Sequence, residues 1–252
     1  MAGRPYVLLS AAMSLDGYID DASDARLVLS GAEDLDRVDE LRASCDAILI
    51  GAGTLRRDNP RLTVRSPRRR ADRAARGLPG HPARVVISGS GVIDRSARLF
   101  ALPAGPGPDG AGPALVYVSD RAAQAARGEL AGAATVIGAG QPPELEAVLA
   151  DLAGRGIGRL LVEGGTTVLT RFLALGLADE LQLAIAPFLV GEPGAARLVG
   201  PGPFASGQDR RMTLAGVSRA GDMAVLRYLP GQPQDRDGPA GGPAALGGPA
   251  DA

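Results

Sequence analysis

The chain contains no lysine and no tryptophan, and among its 252 residues there is a single cysteine, Cys45, and a single histidine, His81. Each shortage removes a chemistry. Without lysine there is no Schiff-base nucleophile, no pyridoxal anchor and no Walker-type phosphate loop. One cysteine forms no intrachain disulfide, and one cysteine with one histidine does not fill a Cys/His zinc site, so no metal is expected. Cys45, at a helix-to-strand join, reads as a small buried residue. His81 lies between prolines in "PGHPAR" and reads as a surface-loop residue, not as the base of a Ser-His-Asp triad. The 27 basic residues are all arginines and are balanced by 28 acidic ones, for a formal net charge of −1. That balance gives no case for a nucleic-acid or membrane-surface partner. No apolar run reaches the length of a membrane span, and "YVLLSAAM" reads as a first strand instead of a signal-peptide core, so a cytoplasmic protein is expected.

What is present is a 45% hydrophobic chain punctuated by glycine and proline. Short apolar runs at 5–13, 46–51, 83–88, 114–119, 134–139, 157–165 and 179–191 read as strands. Helical patterns occupy 30–44, a short stretch after 51, 121–130, 142–156 and the stretch from 166. Ser30 with Glu33 suggests a capping box for the first helix, whose Leu35, Val38 and Leu41 recur at helical spacing. Residues 211–229 read as an antiparallel hairpin. This alternation predicts an α/β sandwich around a mainly parallel sheet with an antiparallel C-terminal edge. Residues 230–252 are too poor in apolar side chains to order themselves and are expected to be a disordered tail. Residues 65–82 carry six arginines and read as a loop, either solvated or a docking surface for an anion such as a nucleotide 2′-phosphate.

Ligands of such sheets bind outside the carboxyl ends of the strands. Three segments converge there: "IGAGTLRRDNPRLTVR", "ISGSG" and "VEGGTT". In the last, a strand ends at Glu163, two glycines follow, and Thr166-Thr167 open a helix. Free N–H groups at a helix start suit a phosphate, although neither G-x-G-x-x-G nor G-x-x-x-x-G-K-[ST] is present. Glu163 can accept hydrogen bonds from amino groups. Arg42 and Arg65 can form a two-pronged clamp for a phosphomonoester. Asp16, in a candidate loop at the Asp-Gly turn, reads as a turn residue and not a proton donor.

Taken together, "MSLDGYI", "DAILIGAGTLRRDNPRLTVR", "RLLVEGGTTVLTRFL" and "LADELQLAIAPFLVG", in this order and spacing, closely resemble the pyrimidine reductase family of riboflavin biosynthesis. The resemblance covers roughly residues 4–229, a single reductase domain. It implies a dihydrofolate reductase-like three-layer sandwich. It also implies an NADPH-dependent reduction of the ribosyl group of a phosphoribosylaminopyrimidine to ribityl, with hydride delivered to C1′ of the ring-opened imine, and usually a homodimer. By the same resemblance Ala12, Thr54 and Asp58 match cofactor-binding positions, and Gly165, Thr166, Thr167 and Val168 match the loop that holds the cofactor phosphates. Arg42, Leu62, Arg65 and Glu163 match substrate-binding positions, and no catalytic acid or base is implied. The chain departs from the family pattern at Asn59, at Ser88-Gly89, and at Ser10, where one branch carries lysine. Many relatives carry a zinc deaminase with H-x-E and P-C-x-x-C signatures. Those signatures are absent here, so deamination is expected to fall to another protein. Two further readings use the same residues: a reductase of a pterin or secondary metabolite, and a cofactor-binding protein without turnover.

Overall fold

The computed structural model describes residues 3–23 and 27–231. The tail expected from 230 onward lies outside them apart from its first two residues. Strands β1 (Tyr6–Ser14), β2 (Ala47–Gly51), β3 (Ala83–Ser88), β4 (Ala114–Val118), β5 (Thr135–Gly138), β6 (Arg159–Gly164), β7 (Glu180–Ala186), β8 (Thr213–Ala220) and β9 (Met223–Leu229) join in one sheet. Its order is β5-β4-β3-β2-β6-β1-β7-β9-β8. Every pairing from β5 through β7 is parallel, while β9 runs antiparallel to both β7 and β8. The helices are α1 (Ala32–Ser44), α2 (Ala52–Asp58), α3 (Pro67–Ala75), α4 (Asp120–Glu129), α5 (Leu145–Gly154) and α6 (Thr166–Ala174).

The central strands are apolar on both faces because each face carries a helical layer. Along β1, β2 and β6 the residues alternate between two cores. Val7, Leu9, Leu49 and Val162 pack with α5 and α6, through residues such as Leu149 and Phe172. Leu8, Ile48, Ile50 and Leu161 pack on the other face with Leu55 of α2 and Ala126 of α4. The expected three-layer α/β sandwich with its antiparallel C-terminal hairpin is therefore the observed architecture.

The arginine-rich segment departs from expectation. Residues 67–75 form α3 and not a loop. Ser66 is its N-cap, with Oγ accepting from Arg69 N, and Pro67 supplies the preset first-turn backbone. Its arginines are cross-links. Arg73, 2% exposed, donates to the carbonyls of Ala43 and Cys45 at the end of α1 and to Pro79. Arg69 bridges Asp36 and Asp39 of α1. His81 is likewise buried and not a surface residue. Its Nδ1 accepts the Val64 N–H at 3.2 Å. Burial, with Arg70 and Arg84 nearby, pushes its pKa down and keeps the ring neutral.

Helix α1 also differs in detail. Its N-cap is Gly31, with no side-chain cap, so Ser30 does not form the expected capping box. The buried positions are Asp34, Asp39 and Ala43, while Leu35 and Val38 face a cleft. Asp39 replaces the apolar anchor: its carboxylate accepts from the N–H groups of Arg65 and Ser66 and so fixes the approach to α3.

Behind the sheet, Glu180 is buried between β1 and β9 and accepts from Tyr6 Oη, Gln182 Nε2 and Arg227 Nε at 2.7–2.8 Å. Burial alone would raise its pKa, but the hydrogen bonds from Arg227, Gln182 and Tyr6 outweigh it and hold the carboxyl down at about 2. A depressed folded-state pKa contributes stability that is full above the unfolded value near 4.5 and is lost as pH falls toward 2. Thermal melts should therefore show wild type losing stability between these pH values. Glu180→Gln should be less stable at neutral pH and should flatten that acid limb; an unchanged limb would contradict the assignment.

Candidate active site

A cleft of about 480 Å³ opens at the carboxyl ends of β1, β2 and β6. Its floor is built from β1, through Ser10 and Ala12, and from the tip of β6, through Glu163. One wall is α1. The other is formed by the starts of α2 and α6.

Two helix N-termini meet in that second wall. Neither Gly51 before α2 nor Gly165 before α6 is accompanied by a side-chain cap. The helices sit close because of these glycines. A Cβ at Gly51 would lie 2.9 Å from Val168 Cγ2, and one at Gly165 would lie 3.0 Å from Thr54 Oγ1. Uncapped N–H groups and the positive ends of two helix dipoles thus face one space, which is the requirement for an anion. Gly165, Thr166, Thr167 and Val168 all line the cleft. So do Ala12, Thr54 and Asp58. The "ISGSG" turn after β3 lies at the same sheet edge but contributes no lining residue.

Arg42, Arg65 and Glu163 also line the cleft, but not as independent groups. Arg42 Nε and Nη2 reach the two Glu163 oxygens at 2.6 and 2.7 Å, a fork-to-fork pair, and Nη1 donates to Thr63 O at 3.1 Å. Burial works against the Arg42 charge, yet Glu163 more than offsets this and raises its pKa. The expected phosphate prong and the expected pyrimidine acceptor are therefore two halves of one ion pair. Each keeps some capacity, since two guanidinium hydrogens and the outer carboxylate lone pairs remain. Arg65 differs. Its side chain is exposed at the cleft edge and forms no ion pair among the described residues. It is the arginine available to an incoming anion.

Leu62 is the exception among the expected residues. Its side chain is buried at 1% exposure in the core beneath α2 and does not line the cleft. Its φ of 53° places it in the left-handed region, costly for a branched side chain. Anchoring it there turns the loop so that Thr63 O meets Arg42 and Val64 N meets His81. Asn59, also left-handed with φ of 40°, ends α2, and its Oδ1 accepts from Arg98 N. Asparagine tolerates that conformation better than most residues, which accounts for it at this position. Asp16 lies outside the cleft. It accepts from Ser14 Oγ and from the N–H groups of Val190 and Gly191, which is the turn role expected of it.

Residues not singled out from sequence complete the site. Asp34 lines the cleft on α1, and Asp20 and Arg57 form an ion pair at its rim that ties the segment after β1 to α2. Helical spacing places Asp34, Val38 and Arg42 on one face of α1, but spacing alone does not say that this face meets a cleft.

The description "RibD C-terminal domain" belongs to the family model that matches residues 5–226. The chain is 38% identical over 228 residues to the 2,5-diamino-6-ribosylamino-4(3H)-pyrimidinone 5′-phosphate reductase of Methanothermobacter thermautotrophicus, covering 89% of this chain and 98% of that protein. It is 38% identical over 189 residues to the reductase of the same name from Archaeoglobus fulgidus, covering 75% of this chain and 83% of that one. A solved structure of RibD from Acinetobacter baumannii superposes with a TM-score of 0.71 at 26% identity, over 91% of this chain and 59% of that longer one.

The Arg42–Glu163 pair makes a stability prediction. Glu163→Gln strips a largely buried guanidinium of its charged partner and should cost about 2–3 kcal/mol in urea unfolding. The double variant Arg42→Met/Glu163→Leu should cost less than the sum of the single changes. Additive costs would mean that the two groups are not energetically coupled.

Proposed function

The chain belongs to the RibD C-terminal domain family, and from that premise we propose that it is an NADPH-dependent reductase. Its substrate would be a phosphoribosylaminopyrimidine, whose ribosyl group it converts to ribityl in riboflavin biosynthesis. The observation that carries this reading is the composition of one cleft: an uncapped α6 start and an unpaired Arg65 give two separate anion sites, with the Glu163 carboxylate also lining it. Two separate anion sites suit two phosphorylated ligands held side by side, and Glu163 offers an acceptor to amino groups. The activity for which the archaeal relatives are named, one of them matched over nearly its full length, supports the same substrate class.

The fit of a dinucleotide rests on the glycines. With no Cβ at Gly165, backbone can approach a diphosphate closely, and the N–H groups of Thr166 and Thr167 follow directly in the first turn of α6. Thr54, Asp58 and Ala12 line the cofactor side; Arg65 would take the substrate phosphate, and Glu163, steadied by Arg42, the substrate amino groups. When bound, the nicotinamide supplies the hydride that reduces C1′. The protein's contribution is to orient two ligands in contact and to keep water from them. Cytoplasmic location and a homodimer belong to the same reading. The exposed Leu214 and Val217 on edge strand β8 favour a partner there.

The direct test is oxidation of NADPH, followed by its absorbance, with the diaminopyrimidinone phosphate or its deaminated uracil counterpart. Turnover with at least one is expected, and none with either would overturn the proposal. Arg65→Ala should raise the substrate KM at least tenfold while leaving the NADPH Kd unchanged. An unchanged KM would favour an unphosphorylated substrate.

A further inference from the structure

The segment that carries Arg65 to the cleft edge belongs to no helix or strand. It runs from the end of α2 at Asp58 to the start of α3 at Pro67. Its backbone has no ladder of its own, so side chains from elsewhere must satisfy it. Arg42 Nη1 donates to Thr63 O at 3.1 Å, and Arg70 Nη1 donates to Arg65 O at 2.8 Å. The Asp39 carboxylate accepts from the Arg65 and Ser66 N–H groups. Between these, the Val64 N–H donates to His81 Nδ1 at 3.2 Å. Val64 is 1% exposed, so water does not stand in for that acceptor.

Of these four side chains, His81 is the one whose charge ordinarily changes near neutral pH. Nδ1 accepts only while it is unprotonated, so the bond to Val64 selects the neutral ring with its proton on Nε2. Protonation sets one N–H against another. The ring has little room to turn away, because His81 is 7% exposed and its backbone is pinned on both sides. His81 N donates to Gly110 O at 3.0 Å, and Gly112 N donates to His81 O at 2.9 Å. The charged groups around the ring are Arg70 and Arg73 of α3, Arg84 of β3 and Asp109 of the loop before β4. Burial, and cations that outnumber the one carboxylate, oppose a charged ring and push its pKa below the ordinary 6.5.

Displacing Val64 has two consequences in the cleft. On one side of it is Thr63, whose carbonyl completes the bracket that Arg42 makes with Glu163. On the other is Arg65, exposed and without an ion pair among the described residues. The bonds that hold residues 63–66 run to α1, α3 and His81, and among the described residues none runs to the start of α6. We propose, resting on the function given above, that His81 is a positioning residue for the substrate phosphate: its neutral imidazole holds Val64 so that Arg65 stands at the cleft edge, and protonating it loosens the substrate site while leaving the cofactor site intact.

The experiment uses the untagged chain, whose one histidine gives one imidazole signal in proton NMR. That signal should titrate below 6.5, and a value at or above 6.5 would contradict the acceptor role. The KM of the pyrimidine phosphate and the NADPH Kd are then followed from about pH 8 to about pH 5 in wild type, His81→Asn and His81→Leu. Asparagine offers Oδ1 as an acceptor at every pH, so its acid limb should show only the substrate phosphate, which titrates near about pH 6. Wild-type KM should rise at the acid end by at least about threefold more than that of His81→Asn, with NADPH Kd alike in both. At the alkaline end His81→Asn should keep KM within about threefold of wild type, while His81→Leu should raise it about tenfold with kcat and NADPH Kd little changed. Superposable profiles for wild type and His81→Asn would overturn the proposal. So would a His81→Leu variant with unchanged KM, or one that loses kcat and NADPH affinity in step with KM, as general loosening would cause. Should His81→Leu not fold, the other two profiles decide alone. A wild type that oxidises NADPH with neither pyrimidine would instead overturn the function on which the proposal rests.

Discussion

The Arg42–Glu163 pair is the joint on which the cleft depends. It connects residues 121 positions apart, binding the last turn of α1 to the tip of β6. Helix α1 covers a sheet face mainly with acidic and arginine side chains, so apolar burial alone does not seat it. Asp34, Asp39 and Arg42 do so instead, through Arg37, the start of α3 and Glu163. The cost of desolvating these groups is met by bidentate geometry and by carbonyls such as Thr63 O. The result is a helix that turns Leu35 and Val38 toward the cleft and not toward the core.

The absence of lysine has a structural counterpart. Several arginines here act as planar brackets for backbone carbonyls, which a lysine's point charge would do poorly. Arg73 ties the end of α1 to α3 in this way. Arg84, also 2% exposed, holds the carbonyls of Leu99 and Gly112, and burial pushes its pKa down to about 10. The arginine count therefore overstates how much positive charge is available to ligands. At the cleft, Arg65 is exposed and without an ion pair among the described residues, whereas Arg42 is committed.

Much of this was legible in the sequence. Strand runs such as "AILIG" and "RLLVEG" are apolar at every buried position because they are covered twice, and glycine turns mark where the sheet opens to a ligand. The pairing of a glycine turn with Thr166-Thr167 pointed to the start of α6, which lines the cleft. What the sequence hid has one physical cause. The α1 face, the burial of His81 and the seating of α3 all depend on hydrogen bonds or ion pairs between separate segments of the chain, and a run of arginines looks solvated until its carbonyl and carboxylate partners are known. Ser66-Pro67 was the local signal for α3, a cap followed by a first-turn proline.

The central claim is that one cleft holds a dinucleotide on α6 and a phosphorylated pyrimidine along α1, in contact with each other. It is tested most directly by a crystal structure with NADP⁺ and the 2-amino ribityl product bound together. The account predicts the dinucleotide phosphates on the N–H groups of Gly165 to Thr167, the product phosphate at Arg65, and a pyrimidine amino group donating to Glu163. A product bound outside this cleft, or one whose phosphate lies away from Arg65, would contradict it.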